Sequence, residues 1–438
     1  MRMGRCKAKL ISAVLCCLLV LGAAIPARAE GELQLASQAA VLMDADTGTV
    51  LYEKNMHQPL YPASITKLMT ALLALQHLEP EQVLTVSQTA VNAVPRTSSH
   101  ISLVAGEKLT VEEALYAIGM ESANDAANVL AEAVAGNLEA FAAQMTETAQ
   151  KLGALNTHFT NANGLPDSGH VTTAYDMALI TAAALQQEGL AKYFSTVSHT
   201  FPATNLSNPR SFSNKDRLLP GGQYYYEGVL LAKTGWTSSA QGTFAAAVKQ
   251  GDTTLIAVTL KSPLLEDKYQ DTHKLMDYGF THYSAVKVSG EQVTAQLSLG
   301  EYTPVKGQKF SYLLPSGTLF TDIRYSLPED MDLQLESQLR LTVPVMASIE
   351  DTALPEIQVT LERPAPQREA YILAELLSAG GADPEQVEAI LSALRIPAAV
   401  LGVLLLVFLV LLFHRQIQRH RRRRHLKARI RRMKKRME

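Results

Sequence analysis

Ser64 and Lys67 stand three residues apart in the run Pro62-Ala63-Ser64-Ile65-Thr66-Lys67-Leu68-Met69-Thr70. On a helix that begins near Ser64, this spacing puts hydroxyl and amine on one face of the first turn. Such a pair can do nucleophilic chemistry. The helix terminus offers free N–H groups and partial positive charge. A desolvated lysine near other cations can lose its proton and act as base. Alone, the spacing recurs by chance, and an exposed helix cap beside a solvated lysine is the commoner explanation.

Two further motifs change the weight. Ser122-Ala123-Asn124 and then Lys233-Thr234-Gly235 follow downstream. The order S-x-x-K, S-x-N, K-T-G is the active-site set of serine penicillin-binding proteins and β-lactamases. The flanking residues narrow the match: Ser122-Ala123-Asn124-Asp125-Ala126-Ala127, Asn163-Gly164-Leu165-Pro166-Asp167 with His170, Thr172-Thr173-Ala174-Tyr175-Asp176, and Lys233-Thr234-Gly235-Trp236-Thr237. Over about residues 36–283 the chain resembles the D-alanyl-D-alanine carboxypeptidases of the low-molecular-mass penicillin-binding protein class.

That resemblance implies roles. Ser64 would attack the carbonyl of the penultimate D-alanine and become acylated. Lys67 would take its proton, and Ser122 would relay a proton to the leaving amine. Asn124 would hold the substrate amide or Lys67. Lys233 would supply positive charge, and Thr234 a hydroxyl, for the terminal carboxylate. Gly235 lets the backbone approach closely. The N–H groups of Ser64 and Trp236 would form an oxyanion hole, one such donor being worth about 3 kcal/mol. The implied partners are peptidoglycan stem peptides, with β-lactams as inhibitors. A β-lactamase would share the site but needs a second base for deacylation. A catalytically silent wall-binding scaffold is the third reading, opposed by the complete motif set. Ser238-Ser239-Ala240-Gln241-Gly242 lacks the acidic, glycine-bearing run expected after the third motif, and Ala232 is smaller than the usual residue before its lysine. Both departures touch substrate preference rather than chemistry.

No cofactor is expected. The eleven histidines form no H-E-x-x-H pair, and His77, His158 and His170 read as surface or loop residues rather than zinc ligands. There is no phosphate loop and no dinucleotide fingerprint.

The elements that position these residues follow from pattern. Ala39–Met43 and Val50–Tyr52 flank an Asp/Gly turn and read as a hairpin. Leu68, Met69, Leu72, Leu73 and Leu75 form the apolar stripe of the Ser64 helix. Residues 80–107 read as polar and irregular. Thr110-Val111-Glu112-Glu113 is a capping box that opens a helix to about Met120, delivering Ser122 and Asn124 in the loop beyond. Helices follow at about 125–135 and 138–152, the second capped by Asn137, then a loop at 161–169 and a helix at 175–187. After a stretch from Phe201 to Gly228 that holds prolines, glycines, serines and Tyr224-Tyr225-Tyr226, Val229–Ala232 leads as a strand into the third motif. Thr243–Val248 and Thr253–Val258 form a hairpin about Gly251-Asp252, and a helix near 267–280 closes the domain. This order predicts an α+β fold of the β-lactamase/transpeptidase type, an antiparallel sheet with helices on both faces plus a helical subdomain. Residues 284–363 read as a small β-rich domain, with strands at 285–288, 294–297, 333–335 and 339–343.

The ends of the chain have their own chemistry. Residues 1–29 carry five basic residues and no acid, an apolar run from Leu10 to Ile25, and Ala27-Arg28-Ala29, which reads as a cleaved signal peptide. All three cysteines, Cys6, Cys16 and Cys17, lie there, so the mature protein would have no disulfide and no cysteine nucleophile. Residues 364–395 read as a stalk and 396–413 as an 18-residue apolar span at the lower limit for a transmembrane helix. Residues 414–438 hold 13 basic residues and one acid. They read as a cytoplasmic tail touching anionic lipid rather than nucleic acid. The catalytic domain would then lie on the outer face of the cell membrane.

Overall fold

The computed structural model describes residues 33–329, 331, 333 and 338–363. The expected signal peptide, stalk, apolar span and basic tail lie outside these residues. Among the described residues no helix is long and apolar enough to cross a membrane. The chain divides into two units. Among the described residues the first holds 33–286 and Leu313–Thr318, and the second holds 287–312 and those between 319 and 363.

The first unit is built on five antiparallel strands: β1 (Ala39–Asp44), β2 (Val50–Lys54), β3 (Val229–Thr237), β4 (Gln241–Gln250) and β5 (Thr253–Ser262), in the spatial order β2-β1-β5-β4-β3. Successive side chains point to opposite faces of a strand, and here both faces are covered. Ala39, Val41 and Met43 join one core, while Ala40 and Leu42 join the other. That is why these strands read as continuous apolar runs rather than as alternation. Helix Ala174–Gln186 packs in the first core through Met177, Ile180 and Ala184. Helix Asp267–His282 packs in the second through Tyr269, Leu275 and Met276. Gly279 lets that helix come close: a Cβ there would lie 2.5 Å from Leu255 and 2.8 Å from Leu42.

The helical part contributes α1 (Lys67–His77), α2 (Val111–Met120), α3 (Asn124–Ala135) and α4 (Leu138–Lys151). Thr110 and Glu113 form both halves of the capping box on α2, and Asn137 caps α4. Two local expectations are corrected. Residues 80–107 are not irregular throughout: Val83–Thr85 pairs with Lys108–Thr110, and Ser87 caps a short helix at Gln88–Asn92. Asn124 is the first residue of α3 rather than a loop residue. A hairpin of Ser198–Phe201 with Arg210–Ser213 leads into and through the start of the proline-rich stretch.

In the second unit a four-stranded antiparallel sheet runs in the order Thr303–Pro304, Thr352–Glu362, Arg340–Ile349, Ile323–Ser326. Val343, Val345, Val359 and Leu361 alternate into its core. The strand expected at 294–297 is absent. Ser289 and Gln292 cap a short helix at Gly290–Thr294, and that local hydrogen-bond pair prevails over weak strand propensity.

Candidate active site

Ser64 sits in a 3-10 turn, Ala63–Thr66, that runs directly into α1. The turn is pinned from several sides. Thr243 Oγ1 on β4 donates to the Pro62 carbonyl at 2.7 Å. Thr66 Oγ1 donates to the Ala63 carbonyl at 2.8 Å. Ala63 is held at φ 50°, a left-handed conformation that costs a non-glycine residue about 1–3 kcal/mol. Gly164 lies so close to this peptide that a Cβ there would sit 1.9 Å from the Ala63 oxygen. Ser122 is likewise held at φ 57°. Both strained residues flank the proposed chemistry, where such strain concentrates.

Lys67 is fully buried. Its Nζ lies 3.0 Å from Ser64 Oγ, 2.7 Å from Asn124 Oδ1 and 2.6 Å from the Asn163 carbonyl. Two of these partners can only accept. A neutral amine can satisfy both with its two N–H bonds and keep its lone pair for the Ser64 hydroxyl. Burial, and then the charge of Lys233, hold the Lys67 ammonium well below the usual lysine range, with Asp125 opposing.

The Asn163 carbonyl is fixed by its surroundings. Asn163 Nδ2 donates to Asn128 Oδ1 at 3.0 Å, and Thr70 Oγ1 donates to the neighbouring Ala162 carbonyl at 2.5 Å. Asp125 accepts the N–H groups of Ile101 and Leu103. The Ser99 carbonyl takes the Asn124 N–H at 2.9 Å, so segment 99–103 is fastened to the start of α3.

Opposite Ser64, β3 presents Lys233, Thr234, Gly235 and Trp236 along a cleft of about 390 Å³ that Ser64 and Ser122 also line. Lys233 Nζ donates to Ser122 Oγ at 3.1 Å and to the Thr234 carbonyl at 2.8 Å. Lys268 Nζ donates to Thr234 Oγ1 and, at 3.3 Å, to the Gly235 carbonyl. Burial is the first cause that lowers both lysines, Lys268 to about 8. Gly235 is required: a Cβ would fall 2.3 Å from Thr243 Oγ1 and 2.9 Å from the Ser64 nitrogen. Trp236 is 57% exposed at the rim.

All eight residues singled out in the sequence therefore gather at this cleft or on the amine beside it. Four contributors were missed. Lys268 and Asp216 belong to no motif, and Asn163 stands in a run that carries the family resemblance but acts through a backbone carbonyl that its residue type does not announce. His170 was read as a surface or loop residue, and it is buried at 2% exposure. Its Nδ1 accepts the Thr160 N–H at 3.1 Å, which assigns the proton to Nε2, and Nε2 donates to Thr66 Oγ1 at 2.9 Å. Burial pushes His170 down to about 4, in keeping with a neutral ring that backs the Ala63 peptide. Among the described residues no group of His, Cys, Asp and Glu is arranged to hold a metal ion.

A family model described as D-alanyl-D-alanine carboxypeptidase matches residues 26–263. The chain is 35% identical over 254 residues to the D-alanyl-D-alanine carboxypeptidase DacF of Bacillus subtilis, covering 58% of this chain and 64% of that relative. It is 31% identical over 297 residues to DacC of Escherichia coli, covering 65% and 72%. Among solved structures it is similar to penicillin binding protein 6B from Escherichia coli, with a TM-score of 0.59, 25% identity, and coverage of 74% of this chain and 95% of that one. The D-alanyl-D-alanine carboxypeptidase from Mycobacterium tuberculosis matches with a TM-score of 0.53 and 28% identity, over 58% of this chain and 95% of that one.

Proposed function

The chain belongs to the D-alanyl-D-alanine carboxypeptidase family, and we propose on that footing that it removes the terminal D-alanine of peptidoglycan stem pentapeptides through an acyl-enzyme on Ser64. The observation that carries this reading is the buried Lys67 amine, 3.0 Å from Ser64 Oγ, with its remaining N–H bonds engaged by Asn124 and Asn163.

The proposed steps rest on the family resemblance and on the hydrogen bonds of the site. Neutral Lys67 takes the Ser64 proton as Oγ attacks the carbonyl carbon of the penultimate D-alanine. The backbone N–H groups of Ser64 and Trp236 receive the oxyanion, where preformed donors act most strongly. The substrate carboxylate is held by Lys233 and the Thr234 hydroxyl. Ser122, hydrogen-bonded to Lys233, relays to the departing D-alanine amine the proton that Lys67 took from Ser64. Water then cleaves the ester. Penicillin carries a carbonyl and a carboxylate that suit the same two places, and it acylates the same hydroxyl.

The proposal includes location. Residues 396–413 cross the cell membrane, the 13 basic residues that follow stay cytoplasmic, and the catalytic unit faces outward, since each such charge costs about 3 kcal/mol at a helix centre in hydrocarbon. A protein ending at Arg395 is expected to stay in the supernatant after ultracentrifugation and to release D-alanine from a synthetic peptide ending in D-Ala-D-Ala. The full chain should sediment with membranes. If the truncated protein folds and releases no D-alanine, the assigned activity is wrong. If the full chain stays soluble, the anchor is wrong.

A further inference from the structure

Asp216 precedes β3 and is 6% exposed, yet it lines the cleft with Ser64, Lys233 and Lys268. Its Oδ1 accepts the Leu218 N–H at 3.0 Å. Its Oδ2 is buried and accepts no hydrogen bond. A buried carboxylate oxygen left unpartnered is costly unless a nearby charge offsets it.

The offsetting charges are two lysines. Lys233 Nζ and Lys268 Nζ point at neutral acceptors only: the Ser122 and Thr234 hydroxyls and the carbonyls of Thr234 and Gly235. The other charged groups around Asp216 have partners of their own. On its own loop Lys215 pairs with Glu121 at 2.5 Å, and Arg217 pairs with Glu266 at 3.5 Å. Tyr269, beside Lys268 on the helix Asp267–His282, is kept neutral by burial and by Asp216. Of the carboxylates lining the cleft, Glu121 is thus engaged and Asp216 is not.

Resting on the proposed function, we propose that Asp216 is a positioning residue, the fixed counter-anion that keeps Lys233 and Lys268 protonated in the empty cleft, ready for a substrate carboxylate. Two buried ammonium groups side by side repel, and burial favours their neutral forms. Asp216 acts against both effects, raising Lys233 and Lys268 alike. When a carboxylate-terminated substrate enters, two anions face two cations and the cleft is balanced. This accounts for two buried lysines at a site that takes one carboxylate. Burial raises the Asp216 carboxyl above the usual range, so the device weakens in acid, where the lysines need it least.

Asp216→Asn removes the charge, and its Oδ1 can still accept from Leu218. Losing an anion lowers both lysines, so the alkaline limb of kcat/KM for a D-Ala-D-Ala peptide should move down by about one pH unit. The loss should lie in KM rather than kcat. Melting temperature should be unchanged. Should Asp216→Asn fail to fold, Asp216→Ser carries the same comparison. Benzylpenicillin labelling of the wild type is the control. If the wild type is labelled but the variant's pH profile overlies it, or activity falls equally at every pH, Asp216 does not set the lysines' charge. If the wild type is not labelled, the proposed function fails and this inference fails with it.

Discussion

Lys67→Arg is expected to slow acylation of Ser64 by roughly 10³-fold, the usual worth of a positioned general base. Arginine keeps a cation at the position but cannot give up its proton, whereas the account requires a neutral amine with a free lone pair 3.0 Å from Ser64 Oγ. The guanidinium is also larger than an amine that is already fully buried. Lys67→Met is therefore the companion variant, removing the base without adding bulk. Both should lose acylation to a similar extent. The wild-type rate should rise with pH through the lowered Lys67 titration and the variants should show no such limb. Stability gives a second signature. Because the folded pKa of Lys67 lies below its unfolded value, the unfolded chain binds more protons between the two, and unfolding free energy rises with pH across that window. Lys67→Met should flatten that rise. A folded Lys67→Met protein acylated at the wild-type rate would show that the base is elsewhere.

Gly164→Ala should cost about 3 kcal/mol or more of stability and disable the site. Gly164 has φ 82°, and a Cβ would lie 1.9 Å from the Ala63 oxygen and 3.0 Å from the Ser64 nitrogen. The clash is with backbone, which cannot swing aside as a side chain can. Relief requires moving the Ala63-Ser64 peptide, and that peptide carries one of the two proposed oxyanion donors, such a donor being worth about 10²–10³ in rate. Gly136 provides the control. Its φ is 81° with nothing within 4 Å of the added carbon, so Gly136→Ala meets the same backbone strain without the collision. It should cost about 1 kcal/mol and leave acylation unchanged. Equal effects at the two glycines would mean that backbone conformation, not the approach to Ala63, makes Gly164 necessary.

What the sequence made legible here was what is local. The capping box at Thr110 and Glu113 lies within four residues, and it fixes where α2 begins and so where Ser122 emerges. The three motifs were readable because each packs its chemistry into three or four positions. Local hydrogen bonding also explains a miss, since Ser289 and Gln292 cap a turn of helix at Gly290–Thr294, which takes the first residue of the strand that the sequence predicts at 294–297. The rest of the site is long-range. The Asn163 carbonyl reaches Lys67 across 96 positions, and a backbone oxygen leaves no residue-type signal. Lys268 and Asp216 are single charged residues on an ordinary helix and loop, and only their packing beside β3 reveals that they are buried. Lys67 itself was placed by motif, but its complete burial was not visible from a stripe defined by leucines.

The most direct test is the covalent adduct itself. The protein is incubated with benzylpenicillin, digested with trypsin and mapped by mass spectrometry. Cleavage after Lys54 and Lys67 isolates Ser64 in the peptide Asn55–Lys67. The account predicts one penicilloyl group per molecule, on that peptide, and none on a folded Ser64→Ala variant. An adduct on another peptide, or one that persists in Ser64→Ala, would contradict it.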